Sequence, residues 1–164
     1  MHVVYGESTA RYWPFPRGGQ RTYLTRGRWL AARAAKIMWD CDCGVVPVVD
    51  EERRVVGMVT DRDICMAAAT RAAKPSDIQV RDVMSRDVAS CGVGDDVHVA
   101  LNTMKAQRVR RLAVLDEQDR LAGIISMNDV VIRASCRQKA EVSGEDFLDT
   151  LKAISAHSRE TIAA

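Results

Sequence analysis

Val55-Val56-Gly57-Met58-Val59-Thr60-Asp61-Arg62-Asp63-Ile64 decides how this chain folds, because it reads as a strand that runs straight into a helix. The apolar run Val55 to Val59 has strand length and ends at a hydroxyl, which is followed three residues later by a carboxylate. That pairing marks a helix N-terminus. Apolar residues then resume at helical spacing with Ile64, Ala67 and Ala68. Upstream, Val45 to Val49 is a second apolar run, set off from the first by Asp50-Glu51-Glu52-Arg53-Arg54. The two runs predict a hairpin with both faces largely covered. Before it, Ala31, Ala34, Ala35 and Met38 mark one buried helical face.

The same arrangement returns 66 positions later, without a gap, when residues 34–71 are laid on residues 100–137. Ten of the 38 columns are identical, among them Met38/Met104, Asp50/Asp116, Arg54/Arg120, Gly57/Gly123 and Asp63/Asp129. Average composition predicts about two or three such matches. Thr60 faces Ser126, the hairpin recurs as Leu112 to Leu115 and Leu121 to Ile125, and Val97, Ala100, Leu101 and Met104 repeat the helical face. Ahead of that face, Val88 to Cys91 reads as a short strand and Gly92 to Asp96 as a turn ending in a helix cap. The unit is strand, helix, strand, strand, helix, and a repeat of this length predicts two small α/β units that pack together.

At 164 residues with 47% apolar content, the chain suits one globular domain or two halves sharing a core. It contains no apolar run long enough for a membrane helix, and its first ten residues lack the pattern of a secretory leader, so a cytoplasmic location is expected. Five scattered cysteines do not form a disulfide framework, and Cys41-Asp42-Cys43 lacks further ligands in sequence for a metal. Gly92-Val93-Gly94 lacks the third glycine of a dinucleotide fingerprint and reads as a turn. The net charge of +2 does not itself point to nucleic acid. Residues 1–40, however, hold Arg11, Arg17, Arg21, Arg26, Arg28, Arg33 and Lys36 interleaved with Tyr12, Trp13, Phe15, Tyr23, Trp29 and Trp39. Basic residues mixed with aromatics can bind single strands, but a solvated leader has the same composition and is the preferred reading.

The two corners Thr60-x-x-Asp63 and Ser126-x-x-Asp129 carry the functional question. Hydroxyl and carboxylate can simply cap the helix, and on the residues alone that reading leads. A helix N-terminus also presents donors and a positive dipole to phosphate, while an aspartate one turn in can accept both hydroxyls of a ribose. Gly57 and Gly123, three positions before each hydroxyl, would then let a ligand approach the backbone.

The segments Val45-Val46-Pro47-Val48-Val49-Asp50 and Val55 to Asp63, with their counterparts Val109 to Asp116 and Gly123 to Asp129, closely resemble the cystathionine beta-synthase (CBS) domain. Val80-Arg81-Asp82-Val83-Met84-Ser85 resembles the linker that introduces a second such unit, so the likeness covers roughly residues 20–138. It implies a tandem pair, or Bateman module, packed with pseudo-two-fold symmetry and with clefts between the units. The expected division is a leader over 1–20, a first unit over 21–78, a second over 79–138 and a helical tail over 139–164. The resemblance reverses the weighting at the corners. Thr60 and Ser126 would contact phosphate or ribose, and Asp63 and Asp129 the ribose hydroxyls. Val46, Pro47, Leu112 and Ala113 would line the adenine with backbone groups. Arg110 and Arg111 align with phosphate contacts of nucleotide-binding relatives, and Arg62 sits in the first turn of its helix; guanidinium groups suit that task. The first copy has Gly44 and Val45 in place of the two arginines, and because the resemblance implies two clefts close together, the second copy's arginines could serve both.

Residues 1–30 match the pattern poorly, with only Thr22 to Thr25 able to supply the opening strand, so either the first cleft is altered, inaccessible or empty, or this opening stretch is not the native start of the module. At the other end, Ser143 to Asp146 caps a helix whose apolar face would be Phe147, Leu148, Leu151 and Ile154. The function implied is non-catalytic: binding AMP, ADP, ATP or S-adenosylmethionine, with no required cofactor, and passing occupancy on through a conformational or assembly change. A homodimer and an unidentified regulated protein are the expected partners, with no membrane, and nucleic acid enters only as an alternative. Two alternatives stand beside it: an interaction scaffold with vestigial clefts, and nucleic-acid binding by the leader. No histidine or cysteine is paired in sequence with an evident base, so an enzyme is not expected.

Overall fold

The computed structural model describes residues 29–135 and 142–156. The leader over 1–20 and the strand expected at Thr22 to Thr25 lie outside the described residues. The elements run α1 (Ala31–Asp40), β1 (Val45–Val49), β2 (Val55–Thr60), α2 (Asp61–Arg71), a short 3-10 turn (Val80–Asp82), β3 (Ser90–Gly92), α3 (Val97–Gln107), β4 (Arg111–Leu115), β5 (Leu121–Ser126), α4 (Met127–Ser135) and α5 (Gly144–Ser155). They form two compact units.

The first unit holds the described residues to Val88 together with Asp116–Leu121. Strands β1 and β2 pair antiparallel, with Val46 opposite Val59 and Val48 opposite Gly57. All of β1 is buried, whereas Val56 of β2 is exposed, so only part of the hairpin is covered on both faces. Its core joins Ala31, Ala34, Ile37 and Met38 of α1 to Val46, Val48, Val59, Ile64 and Ala67, with Ile78 and Val80 closing the cluster. Fully burying one such valine or isoleucine side chain stabilises the fold by about 1.5–3 kcal/mol. Helix α1 has no side-chain cap; the Ala31 and Ala32 amides donate instead to the carbonyls of Ile78 and Pro75, at 2.8 and 3.0 Å. The segment after α2 thereby satisfies donors that would otherwise be orphaned.

That same segment continues along β2. The Met58 amide donates to the Ser85 carbonyl at 2.9 Å, and the Ser85 amide donates back to Met58 at 2.8 Å. A Cβ built on Gly57 would meet Met84 Sδ at 2.6 Å and the Ser85 carbonyl oxygen at 2.8 Å. The space expected for a ligand beside Gly57 is therefore taken by the chain's own linker. Asp116–Leu121 joins this unit through the Leu121 amide, which donates to the Arg53 carbonyl at 2.9 Å, and through an antiparallel bridge between Arg54 and Arg120.

In the second unit β3 pairs parallel with β4, and β4 lies between β3 and β5. The short strand expected before the turn is present as Ser90–Gly92, and Asp96 caps α3 by accepting from the His98 amide. Val97, Ala100, Leu101 and Met104 are all buried, as their spacing predicts. Helix α5 packs on α3. Its buried position is Thr150, 3% exposed, whose hydroxyl donates to the Asp146 carbonyl at 2.8 Å. Of the apolar face expected there, Phe147 and Ile154 are half-buried, while Leu148 and Leu151 are exposed.

Many local contacts recur at the 66-residue offset. Arg53 and Asp119 both take left-handed backbone in the hairpin turn, and Asp42 and Arg108 do so after the first helix of each repeat. The carboxylates of Asp50 and Asp116 accept from the amides of Arg54 and Arg120, at 2.8 and 2.9 Å, and pair with their guanidinium groups. The acidic residue that ends each first hairpin strand is thus a turn clamp.

Candidate functional site

Strand β2 delivers Thr60 in extended backbone, φ −110° and ψ 163°, and α2 starts at the next residue. Asp63 Oδ2 accepts both from the Thr60 amide, at 2.9 Å, and from the Thr60 hydroxyl, at 2.7 Å. The Asp63 amide donates back to Thr60 Oγ1 at 3.1 Å. Ser126 and Asp129 reproduce each of these bonds, at 2.8, 2.6 and 3.3 Å. The capping reading is realised in both copies, and a lost cap of this kind costs about 0.5–2 kcal/mol. It uses one carboxylate oxygen of each aspartate; Oδ1 takes no hydrogen bond from a described residue. The hydroxyl and carboxylate residues of both corners are half-buried.

A second bond fixes what stands over each corner. The Asp61 amide donates to the Gly44 carbonyl at 3.4 Å, and the Met127 amide donates to the Arg110 carbonyl at 3.0 Å. The residue that opens the first hairpin strand is therefore laced to the start of the helix. In the second unit this sets the Arg110 backbone against the start of α4; Arg110 and its neighbour Arg111 are both exposed and unpaired with any described carboxylate. Guanidinium groups can take phosphate oxygens two at a time. In the first unit Gly44 and buried Val45 occupy those positions, and among the described residues of the corner the cation is Arg62, exposed in the first turn of α2.

The strand residues expected beside the base are buried: Val46, Pro47, Leu112 and Ala113 can offer a ligand backbone groups only. The Ala113 amide is already spent, donating to the Ala89 carbonyl at 3.1 Å. Its counterpart Pro47 has no amide hydrogen at all, which suits a strand edge.

The sequence reading passed over Asp61. Its Oδ1 accepts from the Arg62 amide at 2.7 Å, so a carboxylate of the chain itself sits on a free amide at the start of α2. The signal was present in the repeat, where Met127 faces Asp61 and has no carboxylate to offer Asn128. Among the described residues no group of three or more His, Cys, Asp or Glu side chains could hold a metal ion, and no helix is long and apolar enough to cross a membrane. Burial, then the charge of Asp95, pushes the Cys91 thiol up to about 11.

The family model for the CBS domain matches residues 29–70 and 80–135. Inosine-5'-monophosphate dehydrogenase of Methanocaldococcus jannaschii is 35% identical over 107 residues, which are 65% of this chain and 20% of the dehydrogenase. The chain spans 20%, 52% and 65% of the lengths of the first three curated relatives it matches. Among solved structures, the CBS domain pair of protein MJ0100 in complex with 5'-methylthioadenosine and S-adenosyl-L-methionine is similar with a TM-score of 0.61 at 22% identity, over 72% of this chain and 91% of that one. A CBS domain protein from Pyrobaculum aerophilum complexed with AMP gives a TM-score of 0.60 at 18% identity, over 82% of this chain and 95% of that one. The two repeats, each ending a hairpin in the same capped corner, and the two matched segments agree: this chain belongs to the CBS domain family.

Proposed function

We propose that this chain is a non-catalytic regulatory module that binds an adenosyl ligand, such as AMP, ADP, ATP or S-adenosylmethionine, at the corners formed by Thr60 and Asp63 and by Ser126 and Asp129. The observation that carries the reading is the Ser126–Asp129 corner: a carboxylate oxygen left free by the cap, beside two exposed arginines. The aspartate would accept the ribose hydroxyls, Arg110 and Arg111 the phosphate, and the backbone of β4 would border the base. Relatives of similar fold in complex with AMP, 5'-methylthioadenosine and S-adenosyl-L-methionine support the ligand class. Occupancy regulates only if a second state binds the ligand less well. A homodimer, or a separate regulated protein, would supply that state.

Titration calorimetry of the full chain with AMP, ATP and S-adenosylmethionine tests the proposal, with Asp129→Asn as the discriminating variant. The carboxamide oxygen still accepts from Ser126, so the cap persists, while the charged acceptor for the ribose is gone. Losing a hydrogen bond to a charged group costs about 1.5–3 kcal/mol, or roughly 10- to 150-fold in affinity. Expected is a loss of that size with an unchanged melting temperature. Silence of the parent protein toward all three ligands would overturn the proposal in favour of a scaffold whose corners serve only as caps.

A further inference from the structure

The two corners share their backbone bonds but not their charge. Around Thr60 and Asp63 stand Asp61 and Arg62, one arginine against two aspartates, with Gly44 and Val45 neutral. Around Ser126 and Asp129 stand Arg110 and Arg111, two arginines against one aspartate, with Met127 and Asn128 neutral. The helix starts differ in the same sense. In α2 the Arg62 amide already donates to Asp61 Oδ1 at 2.7 Å, so the position where an incoming anion would meet that amide is filled by the chain's own carboxylate. In α4 Met127 leaves the corresponding position without a fixed negative charge. Among the described residues that open these corners, a phosphate at the first would meet Asp61 and one exposed arginine, Arg62, and at the second no such carboxylate and two exposed arginines, Arg110 and Arg111.

We propose that the corners select different 5' groups: Ser126–Asp129 takes a 5'-phosphorylated adenosine, whereas Thr60–Asp63 takes an adenosyl ligand with a neutral or cationic 5' group, Asp61 being the residue that excludes phosphate. The inference rests on the adenosyl-binding reading and adds to it an assignment of ligand class to each corner. One chain then reports on two chemically distinct ligands instead of counting one ligand twice.

Calorimetry with AMP and with 5'-methylthioadenosine, on the full chain and on Asp63→Asn and Asp129→Asn, separates the corners. Expected is one AMP per chain, lost in Asp129→Asn and kept in Asp63→Asn, with 5'-methylthioadenosine binding kept in Asp129→Asn and lost in Asp63→Asn. In the Asp129→Asn background, Asp61→Met, which copies the second repeat, should tighten AMP binding at the first corner by about tenfold, the effect of removing one like charge close to a phosphate. Asp61→Asn, which keeps an acceptor for the Arg62 amide, should tighten it less. AMP filling both corners of the parent chain with similar affinity would overturn the inference and leave the adenosyl reading standing, as would an Asp61→Met variant no better than its parent. A parent chain that binds AMP at the second corner and 5'-methylthioadenosine at neither would also overturn it. If neither ligand binds anywhere, the adenosyl reading itself falls.

Discussion

Replacing Gly57 by alanine should destabilise the first unit by about 2–3 kcal/mol, and the structure says where that cost arises. The new methyl group would stand 2.6 Å from Met84 Sδ, 2.8 Å from the Ser85 carbonyl oxygen and 3.0 Å from Met84 Cγ, against about 3.5–4.0 Å for a relaxed carbon contact. The Met84 side chain is unbranched and can swing aside. The Ser85 carbonyl cannot, because it accepts from the Met58 amide while the Ser85 amide donates back to Met58. Overpacking costs about 1–3 kcal/mol, and loosening two backbone hydrogen bonds adds about 0.5–1.5 kcal/mol each. The stiffer unfolded chain returns about 0.4–1 kcal/mol. With a urea slope of about 2 kcal/mol per molar, the unfolding midpoint should fall by roughly 1–1.5 M. Gly94→Ala is the matched control, since a Cβ there meets nothing within 4 Å; its midpoint should stay where it was or rise slightly. A Gly57→Ala protein as stable as the parent but weaker toward an adenosyl ligand would refute this reasoning, for it would show that the glycine makes room for the ligand and not for the linker.

Acid should weaken the fold through a defined set of carboxylates. Asp116 lies below its ordinary value of 3.8, chiefly because the Arg120 amide donates to it; Asp146 does so through the Ser143 hydroxyl and Asp96 through the His98 amide. A depressed folded value means the stabilisation is complete above about pH 4–5 and is lost as the pH falls through the folded values. Melting temperatures should therefore be level from pH 5 to 7 and drop below pH 4, and Asp96→Asn, Asp116→Asn and Asp146→Asn combined should flatten the drop; an unaltered profile would remove these residues from the account. The cysteines should also differ in reactivity. Burial first, then Asp95, raises Cys91 to about 11, leaving roughly a thousandth of it as thiolate at pH 8, and Cys41 is raised by burial and by Asp40. Exposed Cys65 should be alkylated well before Cys91 in the native protein, and equal rates measured by mass spectrometry would contradict the burial described.

Most of the fold could be read before the structure because its elements carry one-dimensional signals. The helical faces of α1 and α3, both hairpins and the capped starts of α2 and α5 follow from spacing or from a hydroxyl and a carboxylate three apart. Three features could not be read that way. The closeness of Ser85 to Gly57 joins residues 28 positions apart, and nothing in either segment alone marks the partner. The capture of Asp116–Leu121 by the first unit depends on the Arg53 carbonyl meeting the Leu121 amide, a backbone bond with no side-chain signature. In helix α5 hydropathy marks Leu148 and Leu151, whereas the side chain buried within the chain is Thr150, whose hydroxyl is satisfied within its own helix and so can be buried at little cost.

The repeat turns one chain into its own comparison, and this bears on how the corners are judged. Thr60 with Asp63 and Ser126 with Asp129 make the same three bonds to within a few tenths of an ångström. Asp50 and Asp116 clamp the same turn. Features held in common at that precision are sufficiently explained by the needs of the backbone, so they cannot by themselves show that a ligand binds. Positions where the backbone is held while the chemistry changes are more informative. Gly44 and Arg110 both lend a carbonyl to the start of the following helix, yet one has no side chain and the other a guanidinium. Asp61 and Met127 both donate to those carbonyls, yet one is charged and the other is not. Stability does not require those differences, since each side chain is compatible with the same main-chain geometry. What the differences do change is the field that each corner presents to an approaching anion.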